Sequence, residues 1–338
     1  MKTRVGINGF GRIGRTLFRL IAQQPDLELV AINDLADAKT LAHLLKYDSI
    51  HGVLPQQVFS EGNNIVVENK KIPLHNYTAI SDIPWEGVDI VVESTGKFKT
   101  TELLQNHLKN GVKKVILSVP PNDDRIKTVV LGVNEGILDG TETIISNASC
   151  TTNNAAPMLK VIDELCGIEQ AYITTVHSYT TDQSLHDQPH RDLRRARAAA
   201  QSIVPTTTGA AKALTKVFPH LSDVIGGCGI RVPVANGSLT DLTLHVKKDT
   251  SIEEINHTFK TASETYLKGI LEYTEDPIVS VDIIDNTHSC VFDAQMTSVI
   301  GKFVKIIGWY DNESGYSSRL MDLIMCVMKE KNEQETAT

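Results

Sequence analysis

The chain has 338 residues, 41% of them hydrophobic and 22% charged, which is ordinary for a globular protein and long enough for two domains. The formal net charge of −8 argues against a general nucleic-acid binder or a protein that binds anionic membranes. The N-terminus lacks a signal-peptide pattern, and no stretch approaches the roughly 20 apolar residues of a membrane span, so we expect no membrane partner.

The N-terminal pattern is that of a βαβ unit. A strand at residues 4–8 leads into the glycine motif GFGRIG at 9–14, a helix with one apolar face follows, and a second strand at 27–32 ends at Asp34. With these elements in register, the motif predicts a helix N-terminus that receives a dinucleotide pyrophosphate, and glycines of an unrelated turn are the weaker alternative. A carboxylate at Asp34 accepts hydrogen bonds from the adenosine ribose and repels a 2′-phosphate, which favours NAD over NADP.

The alternation of strands and helices continues to residue 145. Strands are predicted at 88–93, 114–118, 129–132 and 143–145, with a helix at 101–109, and short antiparallel strands at 52–75 are inserted into the sheet. This order predicts a doubly wound, Rossmann-type α/β domain. Thr95, Gly96 and Ser118 follow strand ends, where such a sheet contacts its cofactor, although polar residues are also common at strand ends for trivial reasons.

Residues 146–153, SNASCTTN, are typical of a strand end, a tight turn and a helix start. Cys150 then lies at a helix N-terminus capped by Ser149, and Pro157 should kink this helix or loosen a hydrogen bond. Backbone N–H groups at such a position favour the thiolate and lower the thiol pKa. A small buried core cysteine is the alternative, but the flanking hydroxyls and amides favour a nucleophile.

After residue 150 the strands follow one another with few helices between them. We predict strands at 172–176, 238–246, 279–284, 290–292 and 302–309, and helices at 209–217 and 252–267. This pattern indicates a second, α+β domain with a largely antiparallel sheet, followed by an amphipathic C-terminal helix. The predicted division is 1–149 for NAD binding, 150–314 for catalysis, and 315–338 for a helix that returns to the first domain.

Two side chains of the second half are candidates for chemistry. His177 ends a strand and enters a polar loop, where it could serve as the base of Cys150, but a structural histidine is equally consistent with the sequence. Arg231 lies between apolar neighbours and needs an anionic partner, either a substrate phosphate or a buried carboxylate. The basic run at 190–197 is more consistent with a salt-bridged segment than with nucleic-acid binding, and the hydroxyl-rich turn at 205–211 is a candidate oxyanion site.

The five cysteines, at positions 150, 166, 228, 290 and 326, are odd in number and show neither CxxC nor metal-like spacing. Reduced thiols in the cytoplasm are the simplest interpretation, and we expect no metal.

The chain resembles one family, the phosphorylating glyceraldehyde-3-phosphate dehydrogenases, over essentially its whole length. The resemblance is carried by INGFGRIGR at 7–15, IND at 32–34, SNASCTTN at 146–153, TTVHSYT at 174–180, DLRRARAAA at 192–200, PTTTGAAKA at 205–213, RVPV at 231–234 and WYDNE at 309–313. The chain departs from the family pattern at Asn154, Gln188 and Ser314, none of which removes a chemical group from the mechanism.

The resemblance implies a glycolytic and gluconeogenic enzyme that oxidises glyceraldehyde 3-phosphate with NAD and inorganic phosphate, as a homotetramer, through a thioester on Cys150 with His177 as base. It implies that the substrate phosphate is held by Thr180, Asp182 and Arg231, and the inorganic phosphate by Ser149, Thr151, Thr208 and Gly209. For the cofactor, the resemblance adds Asn312 at the nicotinamide carboxamide and Tyr316 near the ring. The full set of candidate cofactor residues, from the glycine motif, the strand ends and the resemblance, is Gly9, Phe10, Gly11, Arg12, Ile13, Asp34, Thr95, Gly96, Ser118, Asn312 and Tyr316.

Two alternative functions remain open at this point. The first is erythrose-4-phosphate dehydrogenase, a related enzyme that shares stretches such as those at 42–52 and 277–282 with this chain. That enzyme usually carries Glu at the position of Asp34 and does not usually have PTTTGAAKA at 205–213. A Cys–His acyl transferase or hydrolase without redox chemistry is a different class, and the glycine motif with Asp34 argues against it.

Overall fold

The computed structural model of the protein describes residues 2–336, without the side chains of 329–336. The chain divides into two compact units. The first comprises Met1–Val129, Glu135–Ala148 and Ser317–Thr338, and the second comprises Val130–Asn134 and Ser149–Tyr316. None of the helices formed by the described residues has the length and apolar character of a membrane span.

The first unit alternates strands and helices. Its elements are β1 (Thr3–Asn8), α1 (Arg12–Ile21), β2 (Leu27–Asn33), α2 (Ala38–Lys46), β3 (Tyr47–Asp48), β4 (Gly52–Val53), β5 (Val58–Glu61), β6 (Asn64–Val67), β7 (Lys70–His75), β8 (Ile90–Glu93), α3 (Thr101–Leu104), β9 (Lys114–Leu117), β10 (Lys127–Thr128) and β11 (Ile144–Ser146).

These strands form a nine-stranded sheet with the order β10-β11-β9-β8-β1-β2-β7-β6-β5, apart from β3 and β4, which pair with each other. Pairing is parallel from β10 to β7, and β6 and β5 extend the sheet in antiparallel fashion. The central strands β8 and β9 are buried along their whole length, which explains why their sequences are apolar runs rather than alternating patterns. The predicted doubly wound sheet with an antiparallel insertion is confirmed.

The second unit contains most of the remaining elements. They are α4 (Cys150–Cys166), β12 (Ile168–Ser178), β13 (Val204–Thr206), α5 (Ala210–Val217), β14 (Ile225–Val232), β15 (Ser238–Val246), α6 (Ile252–Glu264), β16 (Leu271–Thr274), β17 (Cys290–Asp293), β18 (Ser298–Ile300), β19 (Phe303–Tyr310) and the start of α7 (Ser314–Thr336).

The sheet of the second unit has the order β13-β14-β12-β15-β19-β17-β16, and β18 also pairs with β19. It is mainly antiparallel, with two parallel pairs, β12 with β14 and β16 with β17. Helix α4 packs against α5, α6, β17 and β19 and continues unbroken through the buried Pro157. The predicted α+β class with a largely antiparallel sheet is confirmed.

Three predicted elements differ in the structure. The strand predicted at 129–132 is wrong: β10 ends at Thr128, and Val133 and Asn134 donate backbone hydrogen bonds to the Val130 carbonyl in a turn. The strand predicted at 279–284 is also wrong, because Ser280–Ile283 form a 3₁₀ turn in which the Asp282 carboxylate accepts a hydrogen bond from Val279 N. The helix predicted at 101–109 ends as α3 at Leu104 and continues as a 3₁₀ turn through His107.

Candidate active site

Cys150 is the first residue of α4. The Ser149 hydroxyl caps this helix by accepting a hydrogen bond from Thr152 N at 3.1 Å. Ala148, immediately before the cap, has φ +56°, a left-handed backbone conformation that non-glycine residues seldom adopt. The chain thus turns sharply from β11 into α4, and Cys150 lies half-buried at the helix N-terminus.

His177, near the end of β12, faces Cys150. Its Nε2 lies 3.5 Å from Cys150 Sγ, and its Nδ1 lies 2.8 Å from the Ser178 carbonyl oxygen. Nδ1 faces both this carbonyl oxygen, which can only accept, and the Arg231 guanidinium, which can only donate. In the tautomer that donates from Nδ1 to Ser178, Nε2 is able to accept the thiol proton. The histidine is 6% exposed, so the surrounding protein fixes its orientation.

Arg231 lies beside His177 because β12 and β14 are parallel neighbours. The register pairs the two residues directly. The guanidinium donates to the Ser178 carbonyl oxygen at 2.9 Å and also contacts His177 Nδ1. Arg231 therefore presents a positive charge at the edge of the Cys150–His177 pair.

The protein environment shifts the pKa of all three groups. Burial, followed by the charge of Arg231, lowers the pKa of His177 to about 3, so the imidazole is neutral near pH 7. Burial raises the pKa of the Cys150 thiol, and this effect outweighs Arg231 and the helix N–H groups, which lower it. The predicted lowering of the thiol pKa is thus wrong for this structure, because desolvation opposes the helix effect. Burial likewise lowers the pKa of Arg231.

Tyr310 joins the start of α4 to β12. Its hydroxyl lies 2.9 Å from Thr151 Oγ1 and 2.9 Å from Thr175 Oγ1, and its ring packs edge-on against His177 with centroids 5.9 Å apart. The tyrosine is 1% exposed. It therefore braces both the helix that carries Cys150 and the strand that carries His177.

Asn312 is fixed by two buried serines. Its Oδ1 accepts hydrogen bonds from Ser178 Oγ at 2.9 Å and from Ser238 Oγ at 2.8 Å. The Ser238 hydroxyl also accepts from Ser178 N at 3.1 Å. With Oδ1 occupied by two donors, the side-chain orientation of Asn312 is determined, and its Nδ2 is the group that can donate to a ligand.

The candidate substrate-phosphate residues Thr180 and Asp182 lie in the loop that follows β12. Asp182 pairs with Arg195, which also donates to Thr206 Oγ1 at 2.9 Å. Asp182 and Arg195 are close enough to Arg231 for their charges to act on its guanidinium. A second ion pair of the basic segment joins Arg197 to Asp187 at 2.9 Å. These two pairs agree with the interpretation of 190–197 as a salt-bridged segment.

The candidate inorganic-phosphate residues occupy two helix starts. Ser149 and Thr151 belong to the start of α4, where their hydroxyls bond Thr152 and Tyr310 respectively. Gly209 is the residue before α5, and Thr208 Oγ1 accepts a hydrogen bond from Ala210 N at 3.2 Å. Both helix N-termini thus combine hydroxyls with backbone N–H groups, a combination that suits anions.

The glycine turn between β1 and α1 has the form that a dinucleotide requires. Gly9 has φ +92°, and a Cβ at Gly14 would lie 2.4 Å from the Gly9 carbonyl oxygen. A Cβ at Gly11 would meet open space. No side chain caps the first N–H groups of α1, which include that of Ile13. This open, uncapped helix start fits a pyrophosphate.

The other cofactor candidates of the first unit lie in the glycine turn or near the ends of β2, β8 and β9, and Tyr316 belongs to α7. Asp34 Oδ2 accepts from Phe10 N at 2.7 Å, and Arg12 forms an ion pair with Asp48 at 2.5 Å. Thr95 N donates to Glu93 Oε1 at 2.9 Å, and Ser118 N donates to the Glu93 carbonyl at 3.0 Å. Gly96 has φ +69°, and Tyr316 of α7 is buried.

Sequence reasoning did not single out four residues that contact the candidate site residues, namely Ser178, Ser238, Tyr310 and Arg195. Ser178 could have been singled out, because it directly follows His177 in a polar strand end. Arg195 bonds residues of its own segment, 13 and 11 positions away. Ser238 and Tyr310 depend on pairing between distant segments, since Tyr310 lies 159 residues from Thr151 and 135 from Thr175.

A dinucleotide-type sheet and a Cys–His pair in the same chain are the features of a dehydrogenase that has a thiol in its active site. Two family profiles match the chain: "Glyceraldehyde 3-phosphate dehydrogenase, NAD binding domain" over residues 3–101, and "Glyceraldehyde 3-phosphate dehydrogenase, C-terminal domain" over residues 149–312.

Similar curated proteins cover nearly the whole chain. The glyceraldehyde-3-phosphate dehydrogenase of Mycobacterium avium is 54% identical over 338 residues, which cover 97% of this chain and 99% of that protein. The enzyme of the same name from Geobacillus stearothermophilus is 53% identical over 327 residues, with 96% and 97% coverage. The chain belongs to the glyceraldehyde-3-phosphate dehydrogenase family. It is an NAD-dependent oxidoreductase that acts on an aldehyde group, and the resemblance stated from sequence is confirmed.

Proposed function

We propose that this protein oxidises glyceraldehyde 3-phosphate with NAD and inorganic phosphate to 1,3-bisphosphoglycerate, through a thioester on Cys150. The observation that carries the proposal is the 3.5 Å contact between Cys150 Sγ and His177 Nε2 at the start of α4, with Arg231 beside them. A thiol, a neutral base and a cation in contact are the groups that nucleophilic attack on an aldehyde needs.

His177 takes the thiol proton while Cys150 attacks the aldehyde carbon. Because the free thiol is protonated and the imidazole is neutral, the proton moves from Sγ to Nε2 as the C–S bond forms. The Cys150 backbone N–H and the protonated His177 then stabilise the oxyanion of the hemithioacetal. Loss of hydride from this adduct leaves a thioester on Cys150. Attack by phosphate breaks the C–S bond and returns the electron pair to the sulfur.

Two anion sites serve the two phosphates. Thr180, Asp182 and Arg231 hold the substrate phosphate, and the guanidinium supplies the charge-assisted bonds that a phosphate prefers. Ser149, Thr151, Thr208 and Gly209 hold the inorganic phosphate at the N-termini of α4 and α5.

NAD supplies the hydride acceptor when it is bound. The residues that hold it are Gly9, Phe10, Gly11, Arg12, Ile13, Asp34, Thr95, Gly96, Ser118, Asn312 and Tyr316. We assign NAD binding to residues 1–149 and catalysis to residues 150–314. Residues 315–338 form the segment that returns to the NAD domain, and 337–338 lie outside the described residues. We further propose a cytoplasmic homotetramer without nucleic-acid or membrane partners.

An absorbance assay for reduced cofactor tests the proposal. NAD and NADP are each combined with glyceraldehyde 3-phosphate or erythrose 4-phosphate, with and without inorganic phosphate. We expect the highest kcat/KM for NAD with glyceraldehyde 3-phosphate, and turnover that depends on phosphate. A higher, phosphate-independent rate with erythrose 4-phosphate would assign the other aldehyde. A lack of reduced cofactor with both aldehydes would refute the dehydrogenase assignment.

A further inference from the structure

A row of buried polar side chains in the first unit ends at Glu93. Trp85, His107 and Glu93 are each fully buried. Trp85 Nε1 donates to His107 Nδ1 at 2.9 Å, and His107 Nε2 lies 3.1 Å from Glu93 Oε2. An indole N–H can only donate, so Nδ1 of His107 accepts, and Nε2 carries the ring proton and donates it to Glu93.

The Glu93 carboxylate receives hydrogen bonds at both oxygens. Oε2 accepts from His107 and from Asn8 Nδ2, the latter at 2.5 Å. Oε1 accepts from Thr95 N at 2.9 Å and is also contacted by the Thr95 hydroxyl. In each of these contacts the Glu93 side chain is the acceptor, as suits a carboxylate. Burial of such a charge is costly, and here it is offset by hydrogen bonds from neutral donors.

Two partners of this carboxylate, Asn8 and Thr95, adjoin two different turns. Asn8 is the residue before Gly9 of the glycine turn, and Thr95 begins the turn that contains Gly96. The two turns are in close contact, because a Cβ at Gly9 would lie 2.8 Å from Thr95 N and 2.9 Å from Ser94 C. Glu93 therefore links the two turns from the interior of the domain. An apolar side chain of similar volume would avoid the desolvation cost, but it could not fix their spacing.

We propose that Glu93 is a positioning residue of the dinucleotide site. Its buried carboxylate holds the glycine turn and the Thr95–Gly96 turn at the spacing that NAD requires. This inference rests on the proposed function, which assigns NAD to both turns.

The test is Glu93→Gln in the full-length protein, with binding measured by calorimetry. The amide keeps the shape of the side chain, but its NH₂ group faces two donors, so at least one turn loses its hydrogen bonds. We expect the dissociation constant for NAD to rise about tenfold or more, the size of one or two lost charge-assisted hydrogen bonds. Adenosine offers its ribose to Asp34 but has no phosphate for the glycine turn, so its affinity should fall much less than that of NAD. A general loosening of the domain would weaken both ligands.

The matched control is Trp85→Phe, which removes the donor to His107 and leaves every hydrogen bond to Glu93 in place. It should lower Tm without changing NAD affinity. If Glu93→Gln does not fold, Glu93→Asp keeps the charge, shortens its reach, and is compared in the same way. Unchanged NAD affinity in the Glu93 variant, or an equal loss in Trp85→Phe, overturns this inference alone. A wild-type protein that does not bind NAD overturns the proposed function together with this inference.

Discussion

Arg231 acts on Cys150 and His177 in ways that oppose each other in catalysis. Its positive charge lowers the thiol pKa, which favours the nucleophile, and it also lowers the imidazole pKa, which weakens the base. The same guanidinium is the proposed ligand of the substrate phosphate. One residue thus combines an electrostatic and a binding role, and the two can be separated by substitution.

Arg231→Ala should slow alkylation of Cys150 by iodoacetamide at pH 7, because loss of the cation raises the thiol pKa further and reduces the thiolate fraction. It should also depress kcat/KM for glyceraldehyde 3-phosphate far more than for unphosphorylated glyceraldehyde. Arg231→Lys is the control, since it keeps the charge but loses the bidentate fork. Arg231→Lys should keep an alkylation rate of Cys150 near that of the wild type, while its preference for the phosphorylated over the unphosphorylated aldehyde should fall. Equal losses on both aldehydes would show that Arg231 is structural.

His177→Asn should slow both alkylation of Cys150 and the first turnover of NADH formation by roughly 10²–10⁴-fold, the usual size of a general-base contribution. Asparagine can still donate to the Ser178 carbonyl, so the end of β12 should keep its conformation. Rapid mixing with NAD and aldehyde isolates the hydride-transfer step. Unchanged single-turnover rates would remove His177 from the mechanism.

His177 should also make stability depend on pH. Its pKa falls from 6.5 to about 3 on folding, so between these values the unfolded chain binds a proton that the folded chain does not. The stability that the neutral, buried His177 contributes to the folded protein is fully present above pH 6.5 and is lost as the pH falls toward 3. From pH 7 to pH 5 wild type should lose about 2 kcal/mol that His177→Asn does not lose. Urea unfolding of both proteins at the two pH values measures this, and a pH-independent difference between them would contradict it.

At the scale of elements, the turn between β1 and α1 depends on Asp34 as well as on its glycines. The carboxylate accepts from Phe10 N at 2.7 Å and from Ala36 N at 2.9 Å, so it ties the end of β2 to the start of the glycine turn. The sequence pattern predicted the ribose role of Asp34 but not this second one, because the partners are backbone groups without a sequence signal.

Asp34→Gly should reduce the ratio of kcat/KM for NAD to that for NADP, by an amount equivalent to roughly one to three kcal/mol. The reason is that it removes the acceptor for the ribose and the repulsion of a 2′-phosphate. It should also loosen the glycine turn. Asp34→Asn separates these effects, since it removes the charge and keeps one acceptor oxygen for the turn. Asp34→Asn should reduce the preference for NAD over NADP, and it should lower Tm less than Asp34→Gly does. A preference for NADP in the wild-type protein would contradict the proposed role of Asp34.

For the whole molecule, the sequence predicts best what local pattern determines. The glycine turn, the strand that ends near His177 and the start of α4 at Cys150 each follow from spacing and capping within a short window. The parallel pairing of β12 with β14, which sets Arg231 opposite His177, depends on contacts between segments 54 residues apart. Local periodicity carries no information about such pairing.

Burial and exposure explain two of the differences between the sequence predictions and the structure. The helix N-terminus predicted a lowered thiol pKa for Cys150, but desolvation by the surrounding protein reverses the direction. The apolar residues at 279–284 suggested a strand, yet Val279 and Val281 are 55% and 64% exposed in a 3₁₀ turn. Both errors arise because desolvation and exposure are properties of the folded chain.

Cys150→Ser should separate chemistry from cofactor binding, because the nucleophile belongs to the second unit and the glycine turn with Asp34 belongs to the first. A serine hydroxyl keeps the approximate size of the thiol but is a far poorer nucleophile, so NADH formation should be abolished. NAD affinity, measured by calorimetry, should stay at the wild-type value. In the wild type, peptide mapping after iodoacetamide should find Cys150 modified before the buried Cys166 and Cys290. Substantial dehydrogenase activity in Cys150→Ser, or earlier modification of either buried thiol, would show that Cys150 is not the nucleophile.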